Sequence, residues 1–249
     1  MNKEQIVNSI FYPRKSNIPE DKKDHLIETL NGEKIGARFF LSGRNFPTII
    51  FFHGNAELAQ EYDDIANYYN RFNINFIVVD YQGYGLSTGT PTKENLHQDA
   101  STAFIYIKEY LEKNKYEGKI VIMGRSLGSA SAFEIINNHS KSIDGCIIES
   151  GFATEDPLLN LIGVTPEQID FSLEDGFMNL QKLKGYDGKL FIIHADLDDI
   201  VPFSQAEIMI LESPSTTKEL YRVNGANHNN ILMIAREEYF KKIKEFISK

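Results

Sequence analysis

The chain of 249 residues is 42% hydrophobic and 24% charged, which is enough apolar material for one sizeable core and argues against disorder except at the ends. Its formal net charge of −9 repels phosphate backbones and anionic lipid surfaces, and no Lys/Arg cluster reverses that sign locally, so nucleic acid is excluded as an expected partner. The single cysteine, Cys146, cannot form an internal disulfide, and its apolar setting with Ile147 and Ile148 reads as a buried core thiol.

The N-terminal residues 1–13 lack a continuous apolar stretch followed by a small-residue cleavage site. No apolar run approaches the ~18 residues needed to span a bilayer, so no integral membrane segment is expected and the expected location is cytoplasmic. With no Pro/Gly/Ser-rich linker or composition break, residues 1–249 are read as a single domain. Residues 25–40 hold two strand-like runs joined by Asn31-Gly32, a strong hairpin signal. Residues 48–52 read as a buried strand ending in His53-Gly54-Asn55, followed by a helix over 57–72. Residues 74–80 form another continuous apolar run, of the kind found in strands covered on both faces. It feeds the loop Tyr81-Gln82-Gly83-Tyr84-Gly85-Leu86-Ser87-Thr88-Gly89. A long helix follows over 92–114, with Leu96, Ala100, Ala103, Phe104, Ile107 and Leu111 on one stripe.

Next come a strand at 119–123, a helix to about 139 and a strand at 144–149. The strand–helix rhythm lapses from 151 to 187, which reads as a small helical lid at 152–187. The lid is rich in apolar residues (Leu158, Leu159, Leu161, Ile162, Phe171, Leu173, Phe177, Met178) that either line a ligand pocket or pack the lid onto the core. The sheet resumes at 190–195, with a helix at 202–213, a last strand at 218–223 and a terminal amphipathic helix over 229–248. Strands alternating with helices in this way predict a mostly parallel, right-handed, doubly wound sheet with helices on both faces. In such a sheet, ligands bind beyond the carboxyl ends of the strands.

One stretch carries chemistry. The run Lys119-Ile-Val-Ile-Met123 stops at Gly124-Arg125-Ser126-Leu127-Gly128 and passes directly into a small-residue helix. A serine hydroxyl is a poor nucleophile; a hydrolase must expose it on a tight turn, beside a base and beside N–H groups that receive an oxyanion. The same five-residue pattern occurs at Gly85-Leu86-Ser87-Thr88-Gly89, but there Thr90-Pro91-Thr92 separates it from the next helix. Strand, turn and helix without a spacer single out Ser126 as the nucleophile and leave Ser87 as a loop residue.

Six histidines are available as a base. With the chain order serine, acid, histidine, His228 is the choice, because it alone follows the last strand. His53 and His194 read as satisfying core or loop hydrogen bonds, while His25, His97 and His139 have no motif around them. The acid belongs at a strand end between serine and histidine, which leaves Glu149, Asp196, Asp198 and Asp199.

Taken together, His53-Gly-Asn55, Asp80-Tyr-Gln-Gly-Tyr-Gly-Leu-Ser87, Gly124-Arg-Ser-Leu-Gly128, His194-Ala-Asp-Leu-Asp-Asp-Ile-Val-Pro202 and Gly225-Ala-Asn-His228 resemble the α/β-hydrolase superfamily. Within it they are similar to the compact-lid serine esterase and acyl thioesterase branch that includes depalmitoylating enzymes. The resemblance implies the α/β-hydrolase fold with a mostly parallel eight-stranded twisted sheet. Its His-Gly-x-x-Asp-x-x-Val-Pro pattern puts the acid at Asp198, with Ala195 in place of the usual glycine and Glu149 as the rival position. It implies an oxyanion hole from the backbone N–H groups of Leu127 and Asn55; because only the main chain of Asn55 would act, changing its side chain is expected to do little. Asn227 stands where the family often has glycine and is expected to adopt a left-handed conformation.

The expected activity is hydrolysis of carboxylic esters or thioesters through an acyl-enzyme on Ser126, with His228 and Asp198 completing the triad. No metal or organic cofactor is called for. The expected partner is a small-molecule or lipidated acyl substrate. Transfer of the same acyl group to another acceptor, peptide cleavage, and ligand binding without turnover are the other readings of the same residues.

Overall fold

A computed structural model describes residues 2–249 of the chain. It contains one sheet of eight strands: β1 (Asp24–Glu28), β2 (Lys34–Phe40), β3 (Thr48–Phe52), β4 (Asn75–Val79), β5 (Ile120–Arg125), β6 (Gly145–Glu149), β7 (Leu190–Ala195) and β8 (Lys218–Val223). Their order across the sheet is β1-β2-β4-β3-β5-β6-β7-β8. The first two strands form the expected hairpin, and β2 runs antiparallel to β4. Every remaining neighbour is parallel.

The helices are α1 (Lys3–Asn8), α2 (Asp63–Arg71), α3 (Lys93–Lys113), α4 (Gly128–His139), α5 (Asp156–Leu161), α6 (Asn179–Lys184), α7 (Ser204–Glu212), α8 (Ile231–Ala235) and α9 (Glu237–Ser248). Successive side chains of a strand point to opposite faces, and the core divides accordingly. Ile50, Phe52, Ile77, Val79, Ile122, Ile148 and Ile192 pack with α3, α4, α6 and α7. Their neighbours Ile49, Phe51, Phe76, Val78, Val121, Met123, Ile147 and Ile193 pack with α2 and α9. Burial on both faces is why these strands read as continuous apolar runs rather than as alternating ones.

Several elements depart from the sequence expectation. The helix at 57–72 starts with a 3-10 turn, Ala59–Tyr62, and becomes α-helical only at Asp63. The terminal helix is two helices, broken at Arg236, whose φ of 50° cannot continue a right-handed helix. In the 152–187 segment, α6 packs against α4 and α7, and Phe177 and Leu183 are fully buried in the core. Asp156–Leu161 and two single turns make up the rest of its regular structure. The chain before β1 is tied across the top of the molecule. Lys3 pairs with Asp175 at 2.9 Å, the Lys93 N–H donates to Asn8 Oδ1 at 3.0 Å, and Ser16 and Gly85 exchange backbone bonds with the loop and strap opposite them.

The strand order fixes where a site can form. From β3 the chain moves outward to β4, then crosses back past β3 to β5. The loops leaving β3 and β5 therefore diverge, opening a crevice at their carboxyl ends. One loop carries His53-Gly54-Asn55 and the other carries Ser126.

The turn after β5 closes because two residues have no side chain. A Cβ on Gly124 would overlap the Gly128 carbonyl, and one on Gly128 would overlap the carbonyl oxygens of Phe52 and His53. Replacing Gly128 with Ala is expected to destabilise the fold by about 1–3 kcal/mol, the usual cost of overpacking, and to displace Ser126. Thermal unfolding and ester hydrolysis check this; an unchanged midpoint with full activity would show that α4 does not need this close approach to β3.

Candidate active site

Ser126 sits between β5 and α4 with φ 51°, a left-handed conformation that costs a non-glycine residue of order 1–3 kcal/mol and persists only where surrounding bonds hold it. Those bonds are present. The Ser126 N–H donates to the Glu149 carbonyl at 2.9 Å, and Ser129 Oγ donates to the Ser126 carbonyl at 2.7 Å.

The structure brings His228 and Asp198 to this serine from two other strands. His228 follows β8, and its Nε2 lies 3.0 Å from Ser126 Oγ. Its Nδ1 lies 2.8 Å and 3.0 Å from the two carboxylate oxygens of Asp198, which follows β7. Asp198 Oδ1 also accepts the N–H groups of Ile200 and Val201, at 3.1 Å and 2.8 Å. Burial by itself would raise the Asp198 carboxyl, but His228 and the Val201 N–H outweigh it and hold the group below the ordinary carboxylate range. The carboxylate is thus ionised where it faces the imidazole. A hydroxyl in contact with an imidazole whose far nitrogen meets a carboxylate is the arrangement of an activated nucleophile.

The other sequence candidates lie elsewhere. Ser87 is buried, with its Oγ accepting the Gly36 N–H at 2.9 Å. Glu149 makes no hydrogen bond to His228; its carboxylate receives Arg125 Nε at 3.1 Å and the Tyr239 hydroxyl. Asp196 accepts the Gly225 N–H at 2.7 Å, and Asp199 is exposed. His53 joins Asp80 at 3.1 Å and the Gly54 carbonyl at 2.8 Å, and His194 donates to the Val201 carbonyl at 2.8 Å. Burial lowers the pKa of His194, favouring its neutral form. The left-handed residue of the histidine loop is Gly225, with φ 77°, and not Asn227. Asn227 instead turns the loop through its side chain, accepting the Asn229 N–H at 3.1 Å.

Leu127 and Asn55 both border the crevice, in a cavity of about 270 Å³ that also meets Ser126, His228, Ile10, Tyr12, Leu158, Leu161 and Ile200. Among the described residues neither the Leu127 nor the Asn55 backbone N–H donates to a protein acceptor. The Asn55 side chain is anything but idle. Its Oδ1 accepts from the Tyr12 N–H at 2.9 Å, the Tyr84 hydroxyl at 2.7 Å and the Ala56 N–H at 3.1 Å, and its Nδ2 donates to the Ile10 carbonyl at 2.6 Å. It latches the N-terminal strap to the loop after β3, contrary to the expectation that only its main chain matters. Sequence reasoning missed Ile10 and Tyr12 as cavity walls, because nothing local marks a strap brought in from the chain start. It missed Arg125 too, although a charged residue interrupting an apolar run beside the serine is a signal in itself. Among the described residues, no three His, Cys, Asp or Glu side chains converge to hold a metal ion.

Strand order, the serine turn, and the aspartate and histidine at successive strand ends define the α/β-hydrolase fold. The chain belongs to the hydrolase family described as serine aminopeptidase, S33, which it matches over residues 43–167. It is 28% identical over 206 residues to the α/β hydrolase domain-containing protein 17C of Xenopus tropicalis, covering 81% of this chain and 61% of that protein. To the human protein 17B it is 27% identical over 229 residues, covering 90% of this chain and 74% of the relative. The chain thus spans about three fifths of the length of the 17C relative. The Pyrococcus furiosus esterase Pf2001 shares the fold, with a TM-score of 0.77 at 19% identity over 96% of this chain and 98% of that one. No helix among the described residues is long and apolar enough to cross a membrane.

Asn55→Ala is expected to cost roughly 1–3 kcal/mol by leaving buried partners unsatisfied and to lower the turnover of an ester substrate. Thermal unfolding alongside esterase kinetics tests this; wild-type behaviour in both would restore the view that the side chain is dispensable.

Proposed function

We propose that the protein is a serine hydrolase of carboxylic esters, extending to thioesters, in which Ser126, His228 and Asp198 form the catalytic triad. The observation that carries this reading is the unbroken contact from Ser126 Oγ to His228 Nε2 at 3.0 Å and from His228 Nδ1 to Asp198 at 2.8 Å, beside two backbone N–H groups that have no acceptor among the described residues. Ser126 Oγ attacks the substrate carbonyl carbon as His228 takes its proton, and the carbonyl oxygen gains its negative charge between the Leu127 and Asn55 N–H groups. The intermediate collapses as His228 protonates the departing alkoxide or thiolate, leaving the acyl group on Ser126. Water, deprotonated by His228, then attacks the acyl carbon and releases the acid, returning the proton to Ser126. Asp198 stays ionised throughout and stabilises the imidazolium.

The family's description names an aminopeptidase, and an aminopeptidase needs an acidic group free to meet the substrate ammonium. Among the described residues, the one carboxylate bordering the cavity is that of Glu57. It already receives the Gly54 N–H at 2.8 Å, the Tyr62 hydroxyl and Arg125. Its neighbours therefore favour an ester over a peptide with a free amino end. Of the eight apolar residues of the 152–187 segment, read either as pocket lining or as packing onto the core, Leu158 and Leu161 border the cavity. The cavity's roughly 270 Å³ lies below the ~300–1,000 Å³ usual for sites that enclose a drug-sized ligand, which suits an acyl chain of about four to eight carbons better than a palmitoyl group.

A fluorophosphonate probe is expected to label the wild type and not Ser126→Ala, with kcat for an ester falling by at least about 10³-fold in that variant. Equal labelling of both proteins would sink the assignment. Across p-nitrophenyl esters, kcat/KM is expected to peak between about C4 and C8; a maximum at C16 would show that the acyl chain lies outside this cavity.

A further inference from the structure

Arg125 lies inside the serine motif, yet its side chain leaves the turn and reaches three other parts of the molecule. Nη2 donates to the His228 carbonyl at 2.7 Å and to Asn229 Oδ1 at 3.2 Å. Nη1 pairs with Glu57, whose other oxygen holds the Gly54 N–H immediately before Asn55. Nε donates at 3.1 Å to Glu149, whose carbonyl in turn receives the Ser126 N–H. The guanidinium therefore bonds the histidine loop, the loop after β3 and the end of β6 at once.

Packing alone does not hold these loops in place. Glu57, Arg125 and Asn229 border the site cavity, and the same three residues border a second cavity of about 160 Å³ with Tyr62, Glu149, Leu232 and Tyr239. The wall between the two is thin and polar, and the guanidinium is its cross-brace. Only arginine suits the position: it projects five donors in a rigid planar fork, whereas lysine offers a point charge. The Arg125 side chain is 13% exposed. Burial works against its charge, and Glu57 and Glu149 restore it. Removing the cation would leave their buried charge uncompensated.

We propose that Arg125 is a positioning residue for the hydrolysis: it ties the loop of the base to the loop of the oxyanion donor across the nucleophile turn, keeping His228 and the Asn55 N–H in register with Ser126. This rests on the triad reading above. Arg125 acts through His228 and Asn55 and does not touch the reacting atoms. Placement errors of about 1 Å cost as much as 10²-fold in rate, and turnover should carry this loss more than substrate binding.

The test compares wild type, Arg125→Lys, Arg125→Met and the double variant Arg125→Met/Glu149→Gln, all as full chains with a C4 p-nitrophenyl ester. Arg125→Met is expected to lose about 10–100-fold in kcat with KM within about threefold, and Arg125→Lys to fall between it and wild type. The double variant removes one of the stranded carboxylates; it should recover thermal stability without recovering kcat. It also serves as the measurable form if Arg125→Met does not fold. If kcat per folded molecule returns to wild type in the double variant, or if KM rises while kcat holds, the positioning role is overturned and the triad reading stands. Wild-type protein that hydrolyses no ester overturns both.

Discussion

The close approach of α4 to the end of β3 is the constraint on which the rest of the site depends. Gly128 lies against the carbonyl oxygens of Phe52 and His53, with no room for even one methyl group between them. That contact brings the start of α4, and with it the Leu127 N–H, to the loop that carries Asn55. Of the two residues between β5 and the helix, Ser126 takes the left-handed conformation that lifts it into the crevice. Backbone strain at Ser126 is thus the local cost of the contact, and the sheet on both sides absorbs it.

Around that fixed point the site is assembled from parts of unequal rigidity. Ser126 and Asp198 stand at the ends of strands buried on both faces. His228 and Asn55 stand on loops, and each loop is held by a polar tether: Asn55 by the N-terminal strap and Tyr84, His228 by Arg125 through its own carbonyl. A buried polar network specifies one arrangement when every member is satisfied and becomes costly when one is removed. Here that property falls on the two loops that carry His228 and Asn55.

Much of this was legible from the residues alone. Continuous apolar runs marked β3, β4, β6 and β7 because such strands face helices on both sides. Asn31-Gly32 marked the hairpin because few other pairs adopt its turn. Ser126 could be separated from Ser87 because a strand enters its turn and a helix leaves it directly. The break at Arg236 stayed hidden, since apolar spacing on either side of it fits one helix as well as two. Phe177 and Leu183 looked like lid residues and pack in the core, because composition does not say which neighbour a hydrophobic side chain meets.

The sequence by itself determined the class of fold and singled out Ser126, His228 and a short list of acids as candidates, since each depends on local pattern and on order along the chain. Only the tertiary structure decided between Asp198 and Glu149 as the partner of His228, because Glu149 ends β6 and Asp198 follows the adjacent β7, and the fold alone sets where each side chain turns: one toward the imidazole, the other toward Arg125 and Tyr239. It alone brought Ile10 and Tyr12 to the cavity and revealed the Asn55 and Arg125 tethers. Those contacts join residues 43–45 and 68–103 positions apart, and no local periodicity records a bond that exists only once the sheet has formed.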